Sequence, residues 1–232
     1  IAKRLVLAKI EGQNSVLRKY GLRTHDLDAS RMVENVRTDD LESARRKLIS
    51  IEGKFSELYF SQIFKLFSEK LRPSKRQTFK AYDGLNNVFN LGYEMLSWKV
   101  HRALIRAKLE PYLGFLHSVQ FGKPSLVCDF MELYRYLIDD FLIQYCEKLK
   151  KKDFIVKTES LSRGKKGKRE YLSDSETNEF MKELNMYFEN IIEIPRIKVG
   201  KRQTIETLIN EEALLFAKFL RNGTEDWMPR IG

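Results

Sequence analysis

Apolar residues recur every three or four positions across residues 39–70, and this periodicity restricts what the chain can fold into. The apolar line comprises Leu48, Ile51, Phe55, Leu58, Ile63 and Phe67. Residues at this spacing share one face of an α-helix, because the helix completes a turn about every 3.6 residues. Asp39 followed by Glu42 is typical of a capping box at a helix start. We therefore predict a long helix from Asp39 to about Lys70, with Glu52 beside its apolar face.

Most of the remaining chain shows the same helical periodicity. Further helices are predicted over residues 2–19, from about 26, over 82–108, over 124–152, from 173 and over 203–222. Two short apolar segments flank a glycine- and lysine-rich turn and predict a β-hairpin near 153–172. Residues 71–80 form a predicted basic loop, and residues 111–123 are the main non-helical interruption. The expected fold is mainly α, one multi-helix domain over residues 1–232 with a small β-hairpin insertion.

The composition indicates a basic protein with a packed core. Hydrophobic residues make up 43% of the 232 residues, which excludes a disordered chain. The formal net charge of +10 favours a polyanionic partner, with nucleic acid ahead of an acidic membrane surface. The two cysteines, Cys128 and Cys146, form no C-x-x-C motif, which fits a reducing cytoplasm. No apolar run approaches the ~18 residues of a membrane span, so no membrane partner is expected.

An isolated histidine precedes a predicted helix that carries two carboxylates. His117 lies in the interruption at 111–123, and Asp129 and Glu132 follow on the next helix. Residues three apart share a helical face, so both acids can point at one cation. Burying two acids on an apolar face is costly unless a cation or a donor satisfies them. The alternatives are acids that interact with the helix dipole, a loop histidine bonded to a carbonyl, and, for Glu52, an ordinary surface acid.

Three segments resemble the CRISPR-associated integrase family, whose members insert new spacers into CRISPR arrays. They are the Glu-Gly segment that begins at Glu52, the run from Asp83 to Tyr93, and the Gly-Phe-Leu-His loop that ends at His117 with the acidic helix after it. The resemblance covers roughly residues 1 to 150 in the family's order and spacing. It implies the helical catalytic domain of that family. The family's N-terminal β-domain is expected to be missing, because the chain starts at Ile1 within its first helix.

This resemblance implies a DNA integrase and endonuclease that depends on Mn²⁺ or Mg²⁺. Glu52, His117 and Glu132 match the family's metal ligands, and Asp129 matches an accessory catalytic acid. A hard divalent cation held by carboxylates suits phosphodiester transfer, and one imidazole among them favours Mn²⁺ without excluding Mg²⁺. By resemblance, the 3′-hydroxyl of incoming DNA would attack a strand of the CRISPR repeat.

Three further residues are candidates for positions near the DNA: Tyr59, Asn86 and Arg135. For Asn86 a structural role is the alternative. Arg135 has two equal interpretations, since it either pairs with Glu132 or orients a phosphate. Basic clusters at 75–80, 148–152 and 163–169 are expected to follow phosphate backbones without reading sequence. The resemblance also implies double-stranded and branched DNA as partners, a homodimer, and the small partner subunit of the adaptation complex.

Two non-catalytic hypotheses remain open at this point. The chain could be a basic helical module that binds nucleic acid through charge alone, or an interaction scaffold whose acids are only capping groups. The geometry of Glu52, His117 and Glu132 separates these hypotheses from the integrase, because a metal site requires the three side chains to converge.

Overall fold

The computed structural model describes residues 1–79, 81–160, 166–193 and 202–229. Within these residues the chain forms eight α-helices and two small antiparallel hairpins, which confirms the predicted mainly α fold. The helices are α1 (Ala2–Lys19), α2 (Asp26–Glu34), α3 (Leu41–Ile63), α4 (Gly84–Arg106), α5 (Ser125–Met131), α6 (Arg135–Cys146), α7 (Asp174–Phe188) and α8 (Ile205–Leu220). The strands are β1 (Phe154–Ser160), β2 (Lys166–Leu172), β3 (Ile191–Glu193) and β4 (Arg202–Thr204).

The predicted hairpin is formed by β1 and β2, with Phe154 opposite Leu172. Part of its predicted turn, residues 161–165, lies outside the described residues. The second hairpin pairs Ile191 of β3 with Thr204 of β4 and was not predicted. Strands of three residues are too short to show the alternation of apolar and polar residues on which strand prediction depends.

Helix α3 begins and ends at different residues from those predicted. Its N-cap is Asp40 and not Asp39, because the Asp40 carboxylate accepts a hydrogen bond from Glu42 N at 3.1 Å. The helix ends at residue 63 rather than near 70, followed by a 3₁₀ turn over 64–66. Beyond this turn the Arg72 guanidinium donates to Phe67 O at 3.0 Å, which satisfies a carbonyl that a longer helix would have used.

The single helix predicted over 124–152 is wrong, because residues 132–134 divide it into α5 and α6. Leu133 N donates to Phe130 O at 3.2 Å and Tyr134 N donates to Met131 O at 3.0 Å. These bonds reach back three residues instead of four, which tightens the backbone and ends α5. A separate 3₁₀ turn covers Lys151–Asp153.

The other predicted helices agree closely with the structure. Helix α1 covers residues 2–19 as predicted, and α2 begins at residue 26. Helices α4 and α8 are each two residues shorter at both ends than the sequence indicated. The predicted cap of α7 is confirmed, since the Ser173 side chain accepts from Glu176 N.

Helix α4 lies at the centre of the core and packs against α5, α6 and α8. Its Phe89 side chain is fully buried, and the rings of Phe60, Phe64 and Phe67 surround it at centroid distances of 5.9, 5.8 and 6.1 Å. The C-terminal helix α8 folds back onto the histidine loop. Its Phe216 ring lies 5.6 Å from that of Phe115, so the loop rests on the core.

None of the helices in the described ranges combines the length and apolar character needed to cross a bilayer.

Candidate active site

Asp129 fixes the loop that carries His117. Its carboxylate is fully buried and accepts hydrogen bonds from three consecutive backbone N–H groups: Phe115 at 2.5 Å, Leu116 at 2.9 Å and His117 at 3.0 Å. The same carboxylate lies 2.7 Å from Nδ1 of His117. A neutral imidazole that donates from Nδ1 leaves Nε2 as its lone-pair nitrogen. Asp129 therefore orients the imidazole, and a carboxylate in this position is a common partner of metal-ligating histidines.

Gly114 allows the start of this loop to approach the start of α5. A Cβ atom at this position would lie 2.7 Å from His117 O and 2.7 Å from Ser125 Cβ. The Ser125 hydroxyl in turn donates to Ser118 O at 2.7 Å. The loop is therefore held to α5 at both ends, and only a residue without a side chain fits where the two backbones meet.

Glu52 on α3 and Glu132 after α5 meet across the side chain of Lys9, which lies on α1. The Lys9 ammonium forms an ion pair with Oε1 of Glu52 and lies 2.7 Å from Oε2 of Glu132. Ser56 donates to the same Glu52 oxygen at 3.0 Å. Lys9 and Glu132 are only 5% and 4% exposed, so this pair is screened from water. The structure thus brings together two of the three predicted ligands, around a lysine that the sequence analysis did not single out.

Arg135 provides a second cation for Glu132. Burial alone would raise the pKa of Glu132, but Arg135 and Lys9 hold that pKa below its ordinary value. Arg135 Nη2 lies 3.2 Å from Glu132 Oε1, and its guanidinium stacks 4.7 Å from the centre of the Tyr93 ring. Of the two interpretations of Arg135, the structure shows the pairing with Glu132.

Asp139 on α6, which was not predicted as a site residue, forms a buried network behind the site. Tyr59 donates to its Oδ2 at 3.0 Å, and Tyr93 donates to its Oδ1. Burial raises the pKa of Asp139 to about 6, although both hydroxyls and nearby Arg135 oppose this shift. The network joins α3, α4 and α6. Tyr59, expected near DNA, is only 1% exposed, and its hydroxyl is hydrogen-bonded to Asp139.

Asn86, also expected near DNA, is buried and fixes the basic loop. Its amide donates to Lys75 O at 2.9 Å, and its Oδ1 accepts from Gln77 N and from Arg76, both at 3.0 Å. The loop, α1, α3 and α6 line a cavity of about 650 Å³, to which they contribute Lys9, Glu52, Gly53, Lys75 and Arg135. Asn86 therefore shapes a wall of the cavity that Glu52 also lines.

Side chains of the basic clusters differ in their exposure and in their contacts with the rest of the protein. Lys148, Lys150 and Lys152 are exposed. Arg169 is buried, pairs with Glu159 at 3.1 Å and stacks over a tyrosine ring, so it is structural. Position 80 and residues 163–165 of the other clusters lie outside the described residues.

Across the described ranges, no three His, Cys, Asp or Glu side chains come close enough to form a ready metal cluster. Glu52 and Glu132 share one cation, while His117 is held by Asp129, one helical turn before Glu132. The predicted convergence of all three ligands on one point is therefore not observed, although two of them meet.

Comparison with known proteins places the chain in a family. The profile of the CRISPR associated protein Cas1 family matches residues 1–177. A CRISPR-associated endonuclease Cas1 from Thermus thermophilus is 32% identical over 143 residues, covering 62% of this chain and 42% of the relative. A second, from Francisella tularensis subsp. novicida, is 31% identical over 66% of this chain and 49% of the relative. The chain thus spans less than half the length of these relatives.

Solved structures share the fold at lower sequence identity. A casposase bound to integration product has a TM-score of 0.84 and 21% identity, covering 100% of this chain and 67% of the other. A CAS1 protein from Thermotoga maritima has a TM-score of 0.77 and 21% identity, covering 96% and 67%. The structural agreement extends beyond the residues matched by the family profile. The chain belongs to the CRISPR associated protein Cas1 family, as the sequence segments at Glu52, Asp83 and His117 indicated.

Proposed function

We propose that residues 1–232 form one catalytic unit of a divalent-metal-dependent DNA integrase and endonuclease that inserts spacer DNA into a CRISPR array. The observation that carries this proposal is the pair of carboxylates, Glu52 and Glu132, which already clasp one cation beside a cavity with basic walls. Acids placed only as helix caps would not meet around one cation. The names of the relatives, CRISPR-associated endonucleases, support the same class of reaction.

The residues present fit a hard divalent cation, either Mn²⁺ or Mg²⁺. The Lys9 ammonium serves as a stand-in that shows where Glu52 and Glu132 direct their negative charge. Carboxylate oxygens with one imidazole nitrogen form a donor set that suits these metals. We propose Glu52, His117 and Glu132 as the ligands. Held by these residues, such a metal would supply Lewis-acid polarisation of the phosphoryl oxygens and would help to activate the attacking hydroxyl.

In the proposed reaction, the 3′-hydroxyl of incoming DNA attacks a phosphorus of the target strand. A new phosphorus–oxygen bond forms as the attacking hydroxyl loses its proton, and the bond to the 3′ oxygen of the target strand breaks. That oxygen takes up a proton and leaves as a new 3′-hydroxyl. The protein contributes mainly position and charge, as is general for phosphoryl transfer. Asp129 holds His117 in one orientation, and Arg135 keeps Glu132 ionised. Hydrolysis of the same bond by water would use the same site.

Double-stranded and branched DNA are the proposed substrates, and a homodimer with the small partner subunit is the proposed assembly. Supporting this, one structural neighbour is a casposase bound to integration product, and another is a partial Cas6-RT-Cas1--Cas2 complex with a TM-score of 0.74. The net charge of +10 and the exposed lysines at 148–152 favour a polyanionic ligand of this kind.

The test is a strand-transfer and cleavage assay on branched DNA with Mn²⁺. Glu132→Gln removes a charge with little change of shape, and His117→Ala removes the imidazole. Each should reduce metal-dependent turnover by about 100-fold or more while the helical circular dichroism is retained. Glu69→Gln, at an exposed position, is the matched control and should keep wild-type activity. Wild-type turnover by Glu132→Gln would contradict the proposal.

The second candidate is a non-catalytic basic module that binds nucleic acid. It is favoured by one observation, that the three predicted ligands do not converge in the described chain. The same assay separates the two functions, because this module would bind the DNA without any metal-dependent cleavage or joining.

A further inference from the structure

Lys9 lies where the two carboxylates of the site face each other. Its helix, α1, packs against both α3 and α6, and Lys9 is 5% exposed. The ammonium contacts Glu52 Oε1 and lies 2.7 Å from Glu132 Oε2. A lysine buried against two acids from separate parts of the chain is not an incidental surface pair, because burial of each charge requires the others.

A divalent cation and this ammonium cannot both occupy that position. Carboxylate oxygens bind Mn²⁺ or Mg²⁺ at about 2.1 Å. An ammonium in contact with the same two oxygens would then lie within a few ångströms of a doubly charged ion. Repulsion between the two cations, in surroundings screened from water, makes the two arrangements exclusive.

We propose that Lys9 is the resident counter-ion of this site and competes with the divalent metal for Glu52 and Glu132. This inference rests on the proposed function, since it assumes a metal site at these carboxylates. In the metal-free protein, Lys9 and Arg135 together neutralise the two acids, so the site folds without a metal. When a metal binds, the ammonium withdraws, and Lys9 thereby sets the metal affinity.

The structure provides room for that withdrawal. Lys9, Glu52 and Arg135 all line the cavity of about 650 Å³ beside the site. Lysine suits this role because its ammonium is a point charge on a flexible four-carbon stem, unlike the planar guanidinium of arginine. Rotation of the stem moves the ammonium from the carboxylates into the cavity, where a DNA phosphate would be its next partner.

The test measures Mn²⁺ binding by calorimetry in the absence of DNA. Lys9→Met removes the competing charge and keeps much of the apolar stem, so we expect it to bind Mn²⁺ at least about tenfold more tightly than wild type. Lys9→Arg retains the charge and should not gain affinity. Lys3→Met makes the same change of net charge near the start of α1, where the ammonium donates to Glu34 O, and should bind like wild type.

Thermal unfolding provides a second measurement. Without metal, Lys9→Met leaves two acids with one cation fewer and should melt at a lower temperature than wild type. Mn²⁺ should then raise the melting temperature of Lys9→Met more than that of wild type, because tighter binding stabilises the folded state more at a given metal concentration. Lys9→Gln, which keeps a hydrogen-bond donor, is the second neutral variant if Lys9→Met folds poorly.

The possible outcomes test the role of Lys9 separately from the existence of the metal site. Equal or weaker Mn²⁺ affinity in both neutral variants overturns the role of Lys9 and leaves the metal site intact. Neutral variants that stay unfolded even with Mn²⁺ also overturn it, because the metal then does not replace the ammonium. Absence of Mn²⁺ binding in wild type and in every variant contradicts the metal site, and with it both proposals.

Discussion

Replacement of Asp139 by asparagine should change how the stability of the protein depends on pH. Asp139 is 1% exposed, and burial raises its pKa to about 6 from an ordinary value of 3.8. Between these two pH values the folded protein holds a proton that the unfolded chain has released. The free energy of unfolding therefore falls as pH rises through this window, and this contribution stays lost above about pH 6.

The size of the effect follows from the same two pKa values. Since each pKa unit corresponds to about 1.4 kcal/mol, the buried charge costs up to about 3 kcal/mol at neutral pH. The substituted amide does not titrate, and the hydroxyls of Tyr59 and Tyr93 can still hydrogen-bond to it. Relative to Asp139→Asn, the wild-type protein should accordingly lose up to about 3 kcal/mol of stability between about pH 4 and about pH 7.

Urea unfolding at several pH values, followed by circular dichroism, measures this difference. Other carboxylates titrate in both proteins and cancel in the comparison. Asp140→Asn is the matched control, because Asp140 is the next residue and pairs with Lys19 at 2.7 Å near the surface. A constant difference between wild type and Asp139→Asn across the whole pH range would refute the assignment of a raised pKa to Asp139.

Three further predictions test the contacts of Asp129, the space around two glycines and the basic surface. Asp129→Ala should reduce stability by about 3 kcal/mol or more in urea unfolding, because three backbone N–H groups lose their acceptor. Gly114→Ala should destabilise the protein by about 1–3 kcal/mol. At Gly53 an added Cβ would meet no atom within 4 Å, so Gly53→Ala should stabilise α3 by up to about 1 kcal/mol. Stability changes of the same sign in the two variants would contradict these assignments. Neutralising Lys148, Lys150 and Lys152 together should lower the log–log salt slope of duplex binding by up to about 3, and an unchanged slope would remove them from the DNA surface.

The periodicity of apolar residues predicted most of the helices because the tertiary structure agrees with the local pattern. It failed where local bonding ends a helix without a break in composition. Residues 132–134 continue the helical spacing of their neighbours, yet Leu133 and Tyr134 bond to carbonyls three residues back. Such a change in the hydrogen-bond ladder has no signature in spacing, so one helix was predicted where there are two.

Residues of the candidate site could be predicted where a charged side chain stands among apolar neighbours in the sequence. Asp129 and Glu132 were singled out because buried acids need partners, and both have them. The same reasoning applied to Lys9, a lysine between apolar positions of α1, would have identified it. Applied to Asp139 on the apolar face of α6, it would have located the tyrosine network. What no sequence argument supplies is the pairing itself, because Glu52 and Lys9 are brought together only by helix packing.

The charge distribution explains why this site can be assembled by packing alone. Glu52 and Glu132 contribute two negative charges, and Lys9 and Arg135 contribute two positive charges at contact distance. A buried cluster that sums to zero avoids the large cost of an unpaired buried charge. The three helices α1, α3 and α6 can therefore pack before any ligand is present. His117 depends on a longer loop, and Asp129 holds that loop with three backbone bonds. The positions of Glu52 and Glu132 are consequently set by packing around the helical core, with the Lys9 ammonium between them.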